Sequence, residues 1–260
     1  MNKFRVNQLR GIRYLTIPLF EQFRNLRHFI TIRADANKET LDFNINSPEN
    51  FESVIRSYIK VSEALDIDLS RLVVAKQIHG DRVVFVDERD LSLDFWRRKL
   101  ENTDAMITNK KNIILLTLFA DCVPIMVYDP VKHAIGLAHS GWKGTLLEIG
   151  VKTIKSMEKY FGSKPENLCV VLGPSIGPES FEVGIDVARK FRTKFGEEVV
   201  KNKGKRIFVD LWKSIELSLS KIGVKNIEIT GIDTYSATSL FFSYRKEKTN
   251  KRFAVFMELL

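Results

Sequence analysis

Six side chains hold most of the chemistry open to this chain: four histidines and two cysteines among 260 residues. His79 precedes Gly80, and Cys122 lies in Ala120-Asp121-Cys122-Val123-Pro124. His139 opens His139-Ser140-Gly141-Trp142-Lys143-Gly144. One thiolate and two imidazoles make a three-ligand set for zinc, with the fourth position left for water or substrate. The same groups also read as a metal-free cysteine hydrolase or amidase, with Cys122 as nucleophile and His139 as base. A plainer reading leaves Cys122 as a small buried hydrophobe, which Cys169 inside Leu168–Leu172 fits better. His133 shares a strand face with His139, but six residues of strand separate them by about 20 Å, too far for one ion. His28 begins a strand among aromatics and is read as structural.

The elements that must position these groups follow from pattern. Across Val131–His139, His133, Ile135, Leu137 and His139 fall on one face, and Ala134, Gly136, Ala138 and Ser140 on the other. A face so poor in side-chain volume lets another layer pack close, as in a central strand. The glycine-rich turn then leads to a helix expected to start at Thr145, with Glu148 completing a capping box. With Lys143, that helix start would suit an anion. The helix is expected to bury Leu146, Leu147, Val151, Ile154, Met157 and Phe161. Upstream, strands are expected at His28–Arg33, Leu72–Ala75, Arg82–Val86 and Ile113–Phe119, then Ile125–Tyr128 after a break at Pro124. Ser47-Pro48 reads as a helix start, with Phe51, Val54, Ile55, Tyr58, Val61, Ser62 and Leu65 on its core face. Residues 88–103 read as an irregular surface excursion. Downstream come strand Leu168–Leu172, the rigid turn Gly173–Pro178 with backbone N–H groups to offer a ligand, and a helix from Asp210 to Ile222 closed by Gly223. Strands at Ile227–Ile229, Leu240–Tyr244 and Phe253–Met257 complete the set. Hairpin-like pairs Val73/Val84 and Phe242/Val255 suggest mixed sheets, so the expected class is α+β, with helices flanking the sheets.

No linker or repeat divides the sequence, so a single compact domain over 1–260 is expected. No apolar run is long enough to span a bilayer, and the first residues lack a secretory pattern. Few cysteines fit a reducing, cytoplasmic setting. The formal net charge is +9, but the positive residues are dispersed, which favours a solvated surface over a nucleic-acid groove. A basic binding protein without catalysis is the remaining non-enzymatic reading.

Taken in order, Gln77-Ile78-His79-Gly80, Asp104-Ala105-Met106-Ile107-Thr108, Ala120-Asp121-Cys122-Val123-Pro124, His139-Ser140-Gly141-Trp142-Lys143-Gly144, Gly173-Pro174-Ser175-Ile176-Gly177 and Phe242-Ser243-Tyr244-Arg245 resemble the laccase-domain family. Its members, long described as polyphenol oxidases, are now regarded as purine nucleoside phosphorylases of an unusual type. The resemblance runs from about His28 to Leu259 and implies the family's fold, which is similar to that of the cytotoxic necrotizing factors. It implies a zinc site of His79, Cys122 and His139, which would also be the catalytic residues. It further implies phosphorolysis of adenosine, inosine or guanosine, with adenosine deamination and 5′-methylthioadenosine cleavage as further activities. Arg33, Lys143 and Arg245 are the expected substrate and phosphate contacts, Asp121 or Asp104 the expected proton shuttle, and a monomer the expected state. One cysteine and two usable histidines are too few for multicopper chemistry, so copper is disfavoured. The sequence departs from the family at Ala34-Asp35-Ala36, where a glycine pair is usual. Ser140 and Lys143 replace alanine and arginine, Asp233 replaces cysteine before Thr234, and Lys246 replaces a second arginine. Lys143 keeps the charge of arginine but not its two-pronged geometry.

Overall fold

The alternation across Val131–His139 is realised as the strand Ala134–Ser140, whose two faces meet different layers. Ile135 and Leu137 enter one apolar cluster, Ala134 and Ala138 another. On the small-residue face, a Cβ at Gly136 would lie 3.0 Å from Thr153 Cγ2 and 3.1 Å from Met157 Sδ. Both belong to the helix Ile149–Phe161, which the absent side chain allows to settle directly on the strand.

The computed structural model describes residues 3–46, 48–96 and 99–260. Among them, one sheet runs in spatial order Arg5–Leu9, Ile12–Thr16, Leu26–Thr31, Phe253–Leu259, Ile114–Phe119, Leu72–Ala75, Lys99–Leu100. A second runs Asn226–Ile229, Cys169–Leu172, Val123–Asp129, Ala134–Ser140, Ala105–Thr108, Val83–Phe85, and a small third sheet lies apart. Both large sheets are mixed. Leu72–Ala75 is parallel to Ile114–Phe119, for example, and Phe253–Leu259 is antiparallel to it. A single cluster joins Val73, Leu115 and Val255 of the first sheet to Met126, Ile135 and Val171 of the second, so the sheets face each other. Helix Phe51–Leu65 covers the outer face of the first sheet through Val54, Tyr58 and Val61. Helices Ile149–Phe161, Ile185–Phe195 and Leu211–Lys221 cover the second. This α+β domain is therefore layered helix, sheet, sheet, helices, and the central strands are buried on both faces. Among the described residues no helix is long and apolar enough to cross a membrane.

Several elements differ from expectation, each for a local reason. Val73 and Val84 do not pair, because their strands lie in different sheets and residues 76–82 cross between them. Leu240–Tyr244 forms no strand: Phe241 and Phe242 are fully buried, but the chain bends there and Tyr244 begins a short helix. Val255 pairs instead with Ile30 and Thr117. Burial alone made that run apolar, and an apolar run does not distinguish burial from pairing. Pro124 does not interrupt the strand Val123–Asp129. It sits near the strand start, where a missing donor is tolerated, and Gly173 leaves room for its ring (a Cβ there would be 3.0 Å from Pro124 Cγ). The helix after the glycine turn begins at Trp142 rather than Thr145, then breaks at Glu148, whose φ of 56° closes one helix and starts the next. Thr145 does not cap; its hydroxyl meets the Gly141 carbonyl at 3.0 Å and Ser140 Oγ at 2.8 Å. Leu147 and Phe51 are exposed rather than buried. Within 88–103 lie a helical turn at Glu88–Asp90, a buried Phe95 and the edge strand Lys99–Leu100. The helix start expected at Ser47 lies outside the described residues. An additional hairpin, Arg5–Leu9 with Ile12–Thr16, turns at Arg10-Gly11, where φ is 45° and 82°, the turn handedness that suits a tight hairpin. Asp210 does cap its helix, accepting from Lys213 N at 2.8 Å.

Gly136→Val should force the Ile149–Phe161 helix off the sheet and cost about 1–3 kcal/mol, as overpacking of a filled core does. Urea unfolding of the variant against wild type measures it.

Candidate metal centre and cavity

Three segments cross from one facing sheet to the other at a common end, and they carry most of the candidate groups. Residues 76–82 leave the first sheet after Ala75 and enter the second at Val83, with His79 between. Residues 120–122 leave the first sheet after Phe119 and enter the second at Val123, with Cys122 last. Residues 230–252 return from the second sheet to the first and bring Tyr244, Arg245 and Arg252. His139 stands at the same end on the strand Ala134–Ser140, and its ring packs 5.5 Å from that of Phe119.

The ligand atoms of His79, Cys122 and His139 all lie within 4.8 Å of one another. The backbone is bent to achieve this: His79 has φ 63° and Asp121 has φ 89°, values that cost a residue other than glycine free energy unless its surroundings impose them. The surroundings do so through two carboxylates. Asp104 Oδ1 accepts from His79 N and from His139 Nδ1, both at 2.9 Å, and its Oδ2 accepts from Ile78 N at 3.2 Å and Gly80 N at 2.7 Å. The Asp104 carbonyl also accepts from His139 N at 2.7 Å. Asp121 accepts from the Thr234 hydroxyl at 2.8 Å and from Arg245 N at 2.6 Å, and its carbonyl takes Ile176 N at 2.8 Å.

Electrostatics follow from these contacts. Burial works against charge on Asp104, but His139 and the N–H groups of Gly80 and Ile78 hold its pKa below the usual range. Burial pushes the Cys122 thiol up; His139 and His79 more than offset this and bring it to about 6. Burial likewise opposes charge on His139, while Cys122 and Asp104 raise it to about 9. Near neutral pH the metal-free pair is therefore thiolate and imidazolium.

The donor set fits a metal ion. A depressed thiol supplies the anionic ligand, and the bond from Nδ1 to Asp104 leaves Nε2 of His139 as its ligand atom. The backbone makes room as well: a Cβ on Gly141 would fall 2.9 Å from His79 Cδ2 and 3.0 Å from Cys122 Sγ. His28, by contrast, is structural. Its Nε2 accepts from Ile17 N at 2.8 Å, and burial drives its pKa down to about 4. His133 is exposed ahead of its strand.

The three ligands form part of the wall of a cavity of about 650 Å³, with Asp121, Trp142, Phe181, Tyr244, Arg245 and Arg252 among the other lining residues. This volume and mixture of aromatic and charged groups suit a small organic ligand. Of the expected contacts, Arg245 lines the cavity, whereas Arg33 and Lys143 do not. Arg33 pairs with Glu247 at 2.9 Å and lies over Phe242; Lys143 lies exposed, its ammonium 5.6 Å from the Trp142 ring centre. The Gly173–Pro178 turn has no N–H to offer at Gly173, Ser175, Ile176 or Gly177, which donate to Pro124 O, Ile232 O, Asp121 O and Asp233 Oδ1. Arg252 was hidden in a basic stretch that reads as a surface turn, and nothing in its spacing marks it. Phe181 is equally silent, whereas Tyr244 lies in the Phe242–Arg245 motif.

Gly141→Ala should reduce bound metal to well below about one equivalent per chain while the fold survives, checked by metal analysis beside circular dichroism. In metal-free protein, iodoacetamide should modify Cys122 with an inflection near pH 6. His139→Ala should carry that inflection upward, because burial is then opposed by His79 alone.

Comparisons with known proteins bear on the family and the fold. The family model described as multi-copper polyphenol oxidoreductase laccase matches residues 27–259. A Bacteroides thetaiotaomicron protein named purine nucleoside phosphorylase is 30% identical over 246 residues, 90% of this chain and 91% of that one. The Bacillus subtilis purine nucleoside phosphorylase YlmD is 32% identical over 217 residues, 81% of this chain and 78% of that one. The crystal structure of the Bacillus licheniformis hypothetical protein YfiH superposes with a TM-score of 0.88 at 29% identity, covering 100% of both chains. With its model matched over nearly the whole length and its sheets, crossings and ligand cluster arranged as described, this chain belongs to the laccase-domain family.

Proposed function

We propose that this chain is a zinc-dependent purine nucleoside phosphorylase that cleaves adenosine, inosine or guanosine with phosphate, and also deaminates adenosine and cleaves 5′-methylthioadenosine. The observation that carries the reading is the meeting of His79, Cys122 and His139 on the wall of a cavity lined also by Arg245 and Arg252, neither ion-paired among the described residues. Relatives named purine nucleoside phosphorylase support the same class. Their family's description mentions copper, but the described residues offer a single group of three histidine or cysteine ligands, and multicopper chemistry needs several such sites.

In phosphorolysis the bond from the ribose anomeric carbon to the purine nitrogen breaks, and a phosphate oxygen forms the new bond to that carbon. The proton of hydrogen phosphate ends on the departing base, so the reaction balances without another reactant. His79, Cys122 and His139 would hold zinc, and Asp104 keeps both histidine-bearing segments in place. When bound, such an ion supplies positive charge and can acidify water toward a pKa of about 7, which deamination requires. Arg245 brings positive charge to the cavity, while Trp142, Phe181 and Tyr244 offer ring faces for a purine. Of the two carboxylates, Asp104 has its oxygens filled by four donors, so Asp121, which lines the cavity, is the better placed to move a proton. A cytoplasmic monomer is part of the same proposal.

The thiolate–imidazolium pair favours one alternative, a cysteine hydrolase with Cys122 as nucleophile, His139 as base and Asp104 as its orienting group. One experiment separates the two. Adenosine, inosine and guanosine are incubated with and without phosphate, before and after exhaustive chelation. The phosphorylase reading expects ribose 1-phosphate only with phosphate present, and loss of it both on chelation and in Cys122→Ala. Hydrolysis that needs no phosphate and survives complete metal removal would replace it with the dyad.

A further inference from the structure

Arg252 differs from most of the other half-buried arginines of this protein. Arg27 and Arg71 both pair with the buried Glu258, Arg33 pairs with Glu247, and Arg192 with Glu197. Arg252 has no carboxylate at ion-pairing distance among the described residues. One of its terminal nitrogens donates to the Thr249 carbonyl at 3.1 Å and the Lys251 carbonyl at 2.9 Å, and its guanidinium lies 6.0 Å from the Tyr244 ring centre. The backbone is fixed on both sides, Arg252 N donating to Asp42 Oδ1 at 3.0 Å and Arg252 O accepting from Phe43 N at 3.0 Å. A guanidinium has five N–H donors in a fork that matches tetrahedral oxyanions, and the remaining donors of Arg252 have no protein acceptor among the described residues.

Arg245, one residue after Tyr244, is in a similar state. Its guanidinium lies 5.1 Å from the Phe181 ring centre and donates to the Glu182 carbonyl at 2.6 Å, but the Glu182 carboxylate is taken by Arg206 at 2.7 Å. Both arginines line the cavity that holds His79, Cys122 and His139. Half-buried positive charge without a partner is costly unless a ligand completes it. Burial lowers the Arg252 pKa, and the charges of Cys122, Asp42 and Asp121 offset this only in part.

We propose that Arg252 joins Arg245, already an expected phosphate contact, in a subsite for a tetrahedral oxyanion, inorganic phosphate, beside the His79–Cys122–His139 cluster. The identity of the anion rests on the phosphorylase reading; the subsite itself rests on the two incompletely paired guanidiniums. Arg252 is the anchor, because its backbone is held by the Asp42–Phe43 segment as well as by its own turn. Arg33, engaged by Glu247, and Lys143, outside the cavity, are not part of it.

The test is calorimetric titration of inorganic phosphate into metal-loaded protein without nucleoside, with the phosphate KM measured in parallel. Wild type should bind phosphate, and Arg252→Ala should weaken binding and raise the phosphate KM about 10- to 100-fold, the range of a lost charge-assisted pair. Metal content and nucleoside KM should hold. Arg252→Lys should recover part of the loss, since it restores charge without the fork. Should Arg252→Ala not fold, Arg252→Gln, of similar length, should show the same loss. Phosphate bound by wild type and lost in the variant, with no nucleoside cleaved, would keep the subsite and overturn the phosphorylase reading. Unchanged phosphate affinity in a folded, metal-loaded Arg252 variant, or no phosphate binding by wild type, would overturn the subsite.

Discussion

One buried carboxylate holds the candidate site in register. Asp104 is fully buried, yet its four donors come from two different parts of the chain: three backbone N–H groups of the 78–80 crossing and one ring nitrogen of His139. Each of those bonds offsets part of the cost of removing a charge from water. Together they stabilise a left-handed backbone at His79 that the residue does not favour by itself. Asp104 follows Thr103 into the strand Ala105–Thr108, so the rigid centre of the second sheet dictates where both histidines lie.

Asp121 does comparable work for the other ligand. Its side chain ties Thr234 to the start of the Tyr244–Glu247 helix, and its carbonyl ties down Ile176. Cys122 is thereby fixed from the same region that supplies Arg245. Substitution of Asp233 for the cysteine usual in the family leaves this arrangement standing: Asp233 accepts from Gly177 N, Tyr235 N and the Ser180 hydroxyl, all within the same set of turns. The departure at Ala34-Asp35-Ala36 is similarly self-contained, with Asp35 bonded to Asn37 N and Glu39 N and paired with Lys60.

What could be read from residue order was whatever depends on local pattern. The two faces of Ala134–Ser140, the Asp210 cap and the structural character of His28 all rest on neighbours in sequence or on one side-chain class. The ligand cluster required more, since His79, Cys122 and His139 are brought together by sheet order, which the motifs of a family indicate and spacing alone does not. Leu240–Tyr244 reads as a strand because a buried bend and a buried strand are equally apolar. The misplaced helix start at Thr145 has a different cause: the chain turns helical immediately after Gly141 and then resets at Glu148, a two-helix solution that propensity does not encode. Arg252 is not legible in the sequence because what distinguishes it is a missing ion-pair partner, and a missing contact leaves no trace in composition.

The placement of the cavity at the shared end of two facing sheets has a consequence for how its selectivity can change. Sheet-to-sheet spacing is set by the interlocked layer of Val73, Leu115, Val255, Ile135 and Leu137, and facing sheets pack about 10 Å apart. The width of the slot is thus inherited from the core and cannot be altered without repacking it. Its rim is made of connecting segments. The 230–252 segment sends Ile232 and Phe241 into that layer, but Tyr244, Arg245 and Arg252 stand outside it. New guests can therefore be accommodated by editing such rim side chains alone, leaving the architecture and the three converging ligands untouched.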